Sequence, residues 1–189
     1  MRLFVALLPP HEVLAELEAA VAPLRPGWPG LRWAGQDRWH VTLAFLGEVS
    51  EARLDGLRER LGRAASRHQG VQVRIGRGGA FPAAAKARVL CAHIEGEAPA
   101  LAGLRALAAS VAAGARRAGA PPPDEGRRYR PHVTLARSRQ PVALSPLVEA
   151  LSGFSGSAWN AAQVELIRSQ TGPQRRYDSV GSWPLRAPR

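Results

Sequence analysis

Trp39-His40-Val41-Thr42-Leu43-Ala44-Phe45-Leu46-Gly47 reads as one strand ended by a glycine, and its centre recurs as His132-Val133-Thr134-Leu135-Ala136. Successive side chains on a strand point to opposite faces, so the His and Thr of each copy share one face and the Val and Leu share the other. The copies lie 92 residues apart (132 − 40), close to half of the 189-residue chain. Two such strands facing each other bring two imidazoles and two hydroxyls into one cleft. That inventory suits acid–base chemistry that uses neither a metal nor a covalent nucleophile.

The flanks repeat as well. Residues 2–8 read as a buried strand, and Pro9-Pro10 opens a helix to about Ala22 with Val13, Leu14, Leu17 and Val21 on one stripe. Pro23 to Gly30 is rich in Pro and Gly and reads as loop. After the first motif, Ser50 is placed to cap a helix from Glu51 to His68. Val71 to Ile75 alternates as a half-buried strand; Gly76, Gly78 and Gly79 loosen the next stretch, and Phe81-Pro82 closes it. Arg88 to Ile94 is a strand, Pro99 to Arg117 a helix, His132 to Ala136 the second motif strand and Ser145 to Leu151 a short helix. Strands are also expected over 164–167 and 179–185, with loops over 120–126 and 171–176. The order strand, helix, motif strand, helix therefore occurs twice, which predicts two similar lobes that each bring one motif to a shared interface. The length allows one domain over residues 1–189 or two small lobes sharing a core.

A neutral imidazole takes a proton and a cationic one gives it, so two of them flanking a phosphodiester can activate water and protonate the departing oxygen. The hydroxyls of Thr42 and Thr134 can donate to phosphate oxygens where charge accumulates. Arg137, five residues after His132, offers a guanidinium for phosphate. One His-x-Thr on a strand is an ordinary packing pattern, because Thr and Val are common there. Two copies in equivalent places of a repeated arrangement favour the functional reading. His11, His68 and His93 have no such support and read as structural or exposed. Phe45, Phe81, Trp39, Tyr129 and Tyr177 lie near these segments and could stack on a base. The equivalent of Arg137 after the first motif is Phe45, so the two sides are unequal.

The formal net charge is +11, with 25 Arg against a single Lys, Lys86. This balance fits a polyanionic ligand, nucleic acid first. It fits equally the composition of a GC-rich genome, given the abundant Ala, Gly and Pro. Arg127, Arg128 and Arg130, and Arg175 and Arg176, sit on loops that could guide an RNA backbone or simply face solvent. The sole cysteine, Cys91, lies in an apolar run and reads as a small buried residue in a reducing, cytoplasmic setting. The apolar start ends at Pro9-Pro10, too short for a membrane span. No carboxylate or Cys/His cluster has metal-ligand spacing, so no metal and no cofactor are expected.

The chain resembles the RNA 2′,3′-cyclic phosphodiesterases, also called 2′-5′ RNA ligases, of the 2H phosphoesterase superfamily. The resemblance rests on Arg2-Leu3-Phe4-Val5-Ala6-Leu7, His40-Val41-Thr42-Leu43-Ala44-Phe45-Leu46-Gly47, Gly79-Ala80-Phe81-Pro82 with Arg88-Val89-Leu90, and Pro131-His132-Val133-Thr134-Leu135-Ala136-Arg137. Gly172 and Tyr177 resemble a C-terminal Gly-x-x-Tyr pattern, with four residues between them here. The resemblance implies an α+β fold of two pseudo-symmetric lobes, each an antiparallel sheet with helices on its outer face, around a central cleft. It implies hydrolysis of RNA 2′,3′-cyclic phosphate ends to 2′-phosphomonoesters, with His40 as proton donor to the leaving 3′ oxygen and His132 as the base. The residues alone do not distinguish those two roles. Partners would be RNA with cyclic phosphate ends, tRNA fragments or small nucleotides, met by a monomer away from membranes. Alternatives are ATP-independent 2′-5′ ligation by the reverse chemistry and a non-catalytic RNA- or nucleotide-binding module.

Overall fold

The computed structural model describes residues 1–123, 128–170 and 176–187. In chain order the elements are β1 (Arg2–Leu7), α1 (His11–Val21), β2 (Arg32–Trp33), β3 (Val41–Glu48), α2 (Leu54–Ala65), β4 (Val71–Phe81), β5 (Ala87–Glu95), α3 (Ala98–Arg117), β6 (His132–Val142), α4 (Ser145–Ala150), β7 (Trp159–Ala161), β8 (Gln163–Gln170) and β9 (Arg176–Pro184). The strands join in the order β7-β4-β5-β6-β3-β1-β8-β9, with β2 added to β6, and the named strands pair antiparallel throughout. Extensive pairing breaks at one place, where β3 and β6 meet through the single pair Val41↔Val133. That junction divides the strands into two lobes and lies at the centre of the order.

The lobes are not the two halves of the chain. Residues 71–161 supply β4, β5, β6 and β7 of one lobe, whereas the other combines β1 and β3 with β8 and β9 from the C-terminal region. The reason is the strand that covers β1. Its counterpart in the central lobe, β4, precedes β5, while β8 returns from far along the chain to pair with β1 (Leu3↔Arg168 to Ala6↔Glu165).

Both motif strands carry the same irregularity. Val5 pairs with Ala44 and Ala6 with Thr42, leaving Leu43 unpaired; Leu90 pairs with Ala136 and Cys91 with Thr134, leaving Leu135 unpaired. An extra residue of this kind reverses the alternation beyond it. Burial records the reversal: Leu43 with Ala44, and Leu135 with Ala136, are consecutive buried residues, and Phe45 and Arg137 return to the less buried face of Thr42 and Thr134.

The apolar side of the whole sheet and the helices share one core. It contains Val13, Leu17 and Val21 of α1, Leu57 and Leu61 of α2, Leu104, Leu107 and Val111 of α3, and Leu147 of α4. Burying each of these side chains is worth roughly 1.5–3 kcal/mol relative to exposure, so the helical stripes fix which sheet face is closed and leave the other for the cleft. By length and composition α3 could cross a membrane; here it packs against α2, β3 and β4.

Several local expectations change. Residues 22–27 form a 3-10 helix where loop was expected, and Ser50 precedes a short 3-10 turn without a side-chain cap bond, so α2 starts at Leu54. The glycines after Ile75 do not end β4, which runs on to Phe81. They admit neighbours: a Cβ at Gly78 would lie 2.7 Å from the Leu151 Cβ, and one at Gly79 would lie 2.2 Å from His93 Nε2. Two short strands, β2 and β7, were not expected, being too brief to show an alternating pattern.

Candidate active site

The junction of β3 and β6 positions the repeated residues. With Val41 opposite Val133 in antiparallel register, residue 40 is carried to the side of residue 134, and residue 42 to that of residue 132. Each histidine thus lies beside the other motif's threonine. Val41 and Val133 point into the core, 1% and 0% exposed, while His40, Thr42, His132 and Thr134 stay half-buried on the open face. His40 stands one residue before β3, and His132 is the first residue of β6.

The two imidazoles are held alike. His40 Nδ1 lies 2.8 Å from the Arg38 carbonyl oxygen, and His132 Nδ1 lies 2.7 Å from that of Arg130, each two residues back. A carbonyl oxygen only accepts, so Nδ1–H donates in both and Nε2 is left as the nitrogen that takes or gives a proton. Among the described residues neither Thr42 nor Thr134 has a hydrogen-bond partner, so both hydroxyls remain available.

The surroundings differ. The His40 ring stacks on Phe4 at 4.6 Å and meets Tyr177 edge-on at 5.5 Å. Burial drives its pKa down to about 4, against the carbonyl of Arg38; the His132 and Arg137 charges lower it further. His132 meets Phe81 edge-on at 5.0 Å and pairs across the strands with His93. Its pKa is also lowered, first by burial, with the Arg130 carbonyl opposing and the His93 and Arg137 charges adding to the fall. Both imidazoles are therefore neutral at pH 7 in the free protein, and Arg137 acts on both.

A cavity of about 340 Å³ opens beside the junction, lined by Arg32, Trp33, Ala34, Arg38, His40, Thr134, Ala136, Arg137 and Tyr177. Of the residues expected in the site, His40, Thr134, Arg137 and Tyr177 meet here. His132 and Thr42 flank the same junction without forming this wall, and Phe81 buttresses His132. Phe45 packs beside Phe4, Ala6 and Ile167, with the Arg2 guanidinium 5.0 Å from its ring centroid, and does not line the cavity. Trp39 is 2% exposed and belongs to the core, which removes it as a stacking surface. Tyr129 packs against the core, its hydroxyl buried without a partner, and burial pushes its pKa up. Cys91 is fully buried and its thiol is pushed up to about 12, as a small core residue requires. Gly126, Arg127, Gly172, Gln174 and Arg175 lie outside the described residues.

Sequence reasoning missed Arg32, Trp33 and Arg38, because they belong to a segment without periodic pattern before the first motif. It also set aside His93. Parity shows only that His93 and Cys91 share a face of β5; that this face meets the second motif follows from the pairing with β6, which the sequence does not show. Among the described residues no group of three or more His, Cys, Asp or Glu could hold a metal ion.

Over most of its length the chain is similar to known proteins. The family model of LigT-like phosphoesterases matches residues 7–91 and 96–176. The RNA 2′,3′-cyclic phosphodiesterase of Thermus thermophilus is 31% identical over 178 residues, covering 92% of this chain and 84% of that protein. Among solved structures, TT0787 of T. thermophilus superposes with a TM-score of 0.80 at 29% identity over 99% of both chains. E. coli LigT complexed with 3′-AMP superposes at 0.73 and 26% identity, over 97% of this chain and 96% of that one. With its two His-Val-Thr-Leu strands meeting at one junction and the family match spanning most of its length, the chain belongs to the LigT-like phosphoesterases of the 2H superfamily.

Proposed function

We propose that this protein hydrolyses RNA 2′,3′-cyclic phosphate ends to 2′-phosphomonoesters without a metal ion. The observation that carries the reading is the matched pair of imidazoles, each with Nδ1–H committed to a carbonyl and each beside the other motif's threonine. The RNA 2′,3′-cyclic phosphodiesterase of T. thermophilus supports the substrate class, and the 3′-AMP complex of E. coli LigT supports a nucleotide in the cleft.

In the proposed step His132 Nε2 takes a proton from water as the water oxygen attacks phosphorus. The bond from phosphorus to the 3′ oxygen breaks, and His40 Nε2–H gives its proton to that oxygen. The products are a 2′-phosphate and a 3′-hydroxyl, and proton exchange with solvent restores both rings. Thr42, Thr134 and Arg137 donate to the phosphate oxygens, where charge builds.

The acid must be charged when the reaction starts, yet burial holds free His40 near a pKa of about 4. The substrate supplies the correction. One phosphate charge about 4 Å from the ring, at an effective dielectric of about 20, is worth ~4 kcal/mol, or about three pKa units. That restores a near-neutral pKa only once substrate is bound. The protein therefore stays uncharged at His40 when empty and loads its acid on binding.

The test is incubation of a cyclic-phosphate-ended oligonucleotide in excess EDTA, with the product read by ³¹P NMR. A 2′-phosphate is expected. A 3′-phosphate, a requirement for added metal, or equal turnover by the His40→Ala and His132→Ala variants and wild type would contradict the reading.

A further inference from the structure

We propose that the ribbon formed by β2 and β6 carries a second anion site, which binds the phosphodiester on the 5′ side of the reacting nucleotide. The proposal rests on the cyclic phosphodiesterase reading and adds that oligonucleotide ends, rather than mononucleotides, are the preferred substrate.

Three observations place the site. First, Arg32 of β2 lies directly opposite Arg137 of β6. Like charges facing each other across a strand pair are destabilising unless something compensates them. Among the described residues, no carboxylate comes within ion-pair distance of Arg32, Arg137 or Arg139. Elsewhere Arg25 holds Glu18, Arg58 holds Asp55, Arg63 holds Glu59, and Arg168 and Arg176 hold Asp178. With 25 Arg against 15 Asp and Glu, many arginines have no carboxylate beside them; what distinguishes these three is that they gather on one ribbon beside the two cavities.

Second, Arg32 is a wall common to two cavities. On one side is the cavity of His40, Thr134 and Arg137; on the other is an open one of about 450 Å³ lined by Gly30, Arg32, Ser138, Arg139 and Gln140. The second lining holds two guanidiniums, a hydroxyl and an amide, with no acid among them. Gly30 adds no side chain, and a Cβ there would meet nothing within 4 Å, so a ligand can approach the backbone.

Third, the spacing fits a chain. Arg137 and Arg139 are two residues apart on β6, about 7 Å along a strand, a step that neighbouring phosphates of an extended single strand span. With the cyclic phosphate gripped by Arg137 in the cavity of His40 and Thr134, the next phosphate toward the 5′ end comes within reach of Arg32 and Arg139.

The test compares three substrates: a nucleoside 2′,3′-cyclic phosphate, the same nucleoside carrying a 5′-phosphate, and a dinucleotide ending in a 2′,3′-cyclic phosphate. Wild type should show higher kcat/KM for the second and third than for the first, mainly through KM. Arg139→Gln should lower kcat/KM for those two by about tenfold, the size of one hydrogen bond to a charged group at an exposed position, and leave the plain nucleoside cyclic phosphate unchanged. The slope of log affinity against log salt for a product dinucleotide should fall by about 0.7 for the one phosphate contact removed, and Arg139→Lys should restore it. Equal losses on all three substrates, no loss on any, or a wild-type preference that follows the second base and not the 5′-phosphate would overturn the proposal. Failure of the underlying reading is distinct. It shows as no turnover of any cyclic phosphate by wild type, and the second site is then judged by the salt slope of dinucleotide binding alone.

Discussion

The two His-Val-Thr-Leu strands share their sequence, their bulge, their register and the bond that orients each imidazole, yet they meet different walls. On the terminal lobe His40 joins a cluster with Phe4 and Tyr177, which also touch each other, and Phe45 lies along the same strand. On the central lobe His132 has His93 and Phe81 beside it and Arg137 further along β6. A duplicated motif supplies matched geometry, and the flanks divide the work. In the proposed mechanism the buried aromatic side makes the proton on His40 depend on a bound anion, and the cationic side is the proposed grip on phosphate.

The largest test of that division is removal of either ring. His40→Ala and His132→Ala should each lower kcat by about 10²–10⁴-fold, measured with a cyclic-phosphate dinucleotide. A loss confined to one variant would make the pair a single catalyst with a spectator. Next, Arg137→Gln should cost about 10–100-fold in kcat/KM through the lost charge-assisted bonds, whereas Phe45→Leu should stay within about twofold because it lies off the cavity. Equal effects would erase the asymmetry. Arg137→Gln should also raise the pKa of both histidines, since its charge lowers both.

Titration sharpens the contrast further. In NMR of the free protein His40 should titrate near 4, with His132 also below its ordinary value, and adding a nucleoside 2′-monophosphate should move both upward. A depressed histidine pKa means that, between about 4 and the ordinary 6.5, the unfolded chain binds more protons. Stability therefore rises with pH across that window and is lost as pH falls through it. His40→Gln should flatten that dependence in thermal melts taken from pH 4 to pH 7. A further effect, on stability, is expected behind His132: Gly79→Ala should cost about 1–3 kcal/mol by overpacking, because its Cβ would run into His93 Nε2. The cost should shrink in a Gly79→Ala, His93→Ala double variant.

Much of this was readable in the chain, for definite reasons. Strand parity exposes His40, Thr42, His132 and Thr134 on one face, because period-two alternation is local. The helices declare themselves by their Leu and Val stripes. What escaped is what depends on distant pairing. Nothing near residues 163–170 announces that β8 covers β1, so the lobes were placed at the halves of the chain. The bulges at Leu43 and Leu135 appear only once partners are known, and they bring Phe45 and Arg137 back to the site face. Arg32 and Arg38 sit in a short aperiodic segment that becomes a cavity wall through its pairing with β6. Tyr177 reaches His40 in spite of its longer spacing from Gly172, because β9 registers on β8 with Ser169 opposite it.

The central claim is that two like histidines perform opposite halves of one proton transfer. It is tested most directly by the pH dependence of kcat for wild type, His40→Ala and His132→Ala. A bell is predicted for wild type. Loss of the acid should abolish the alkaline limb in His40→Ala, and loss of the base should abolish the acid limb in His132→Ala. Retention of both limbs in either variant, or loss of the same limb in both, would contradict it.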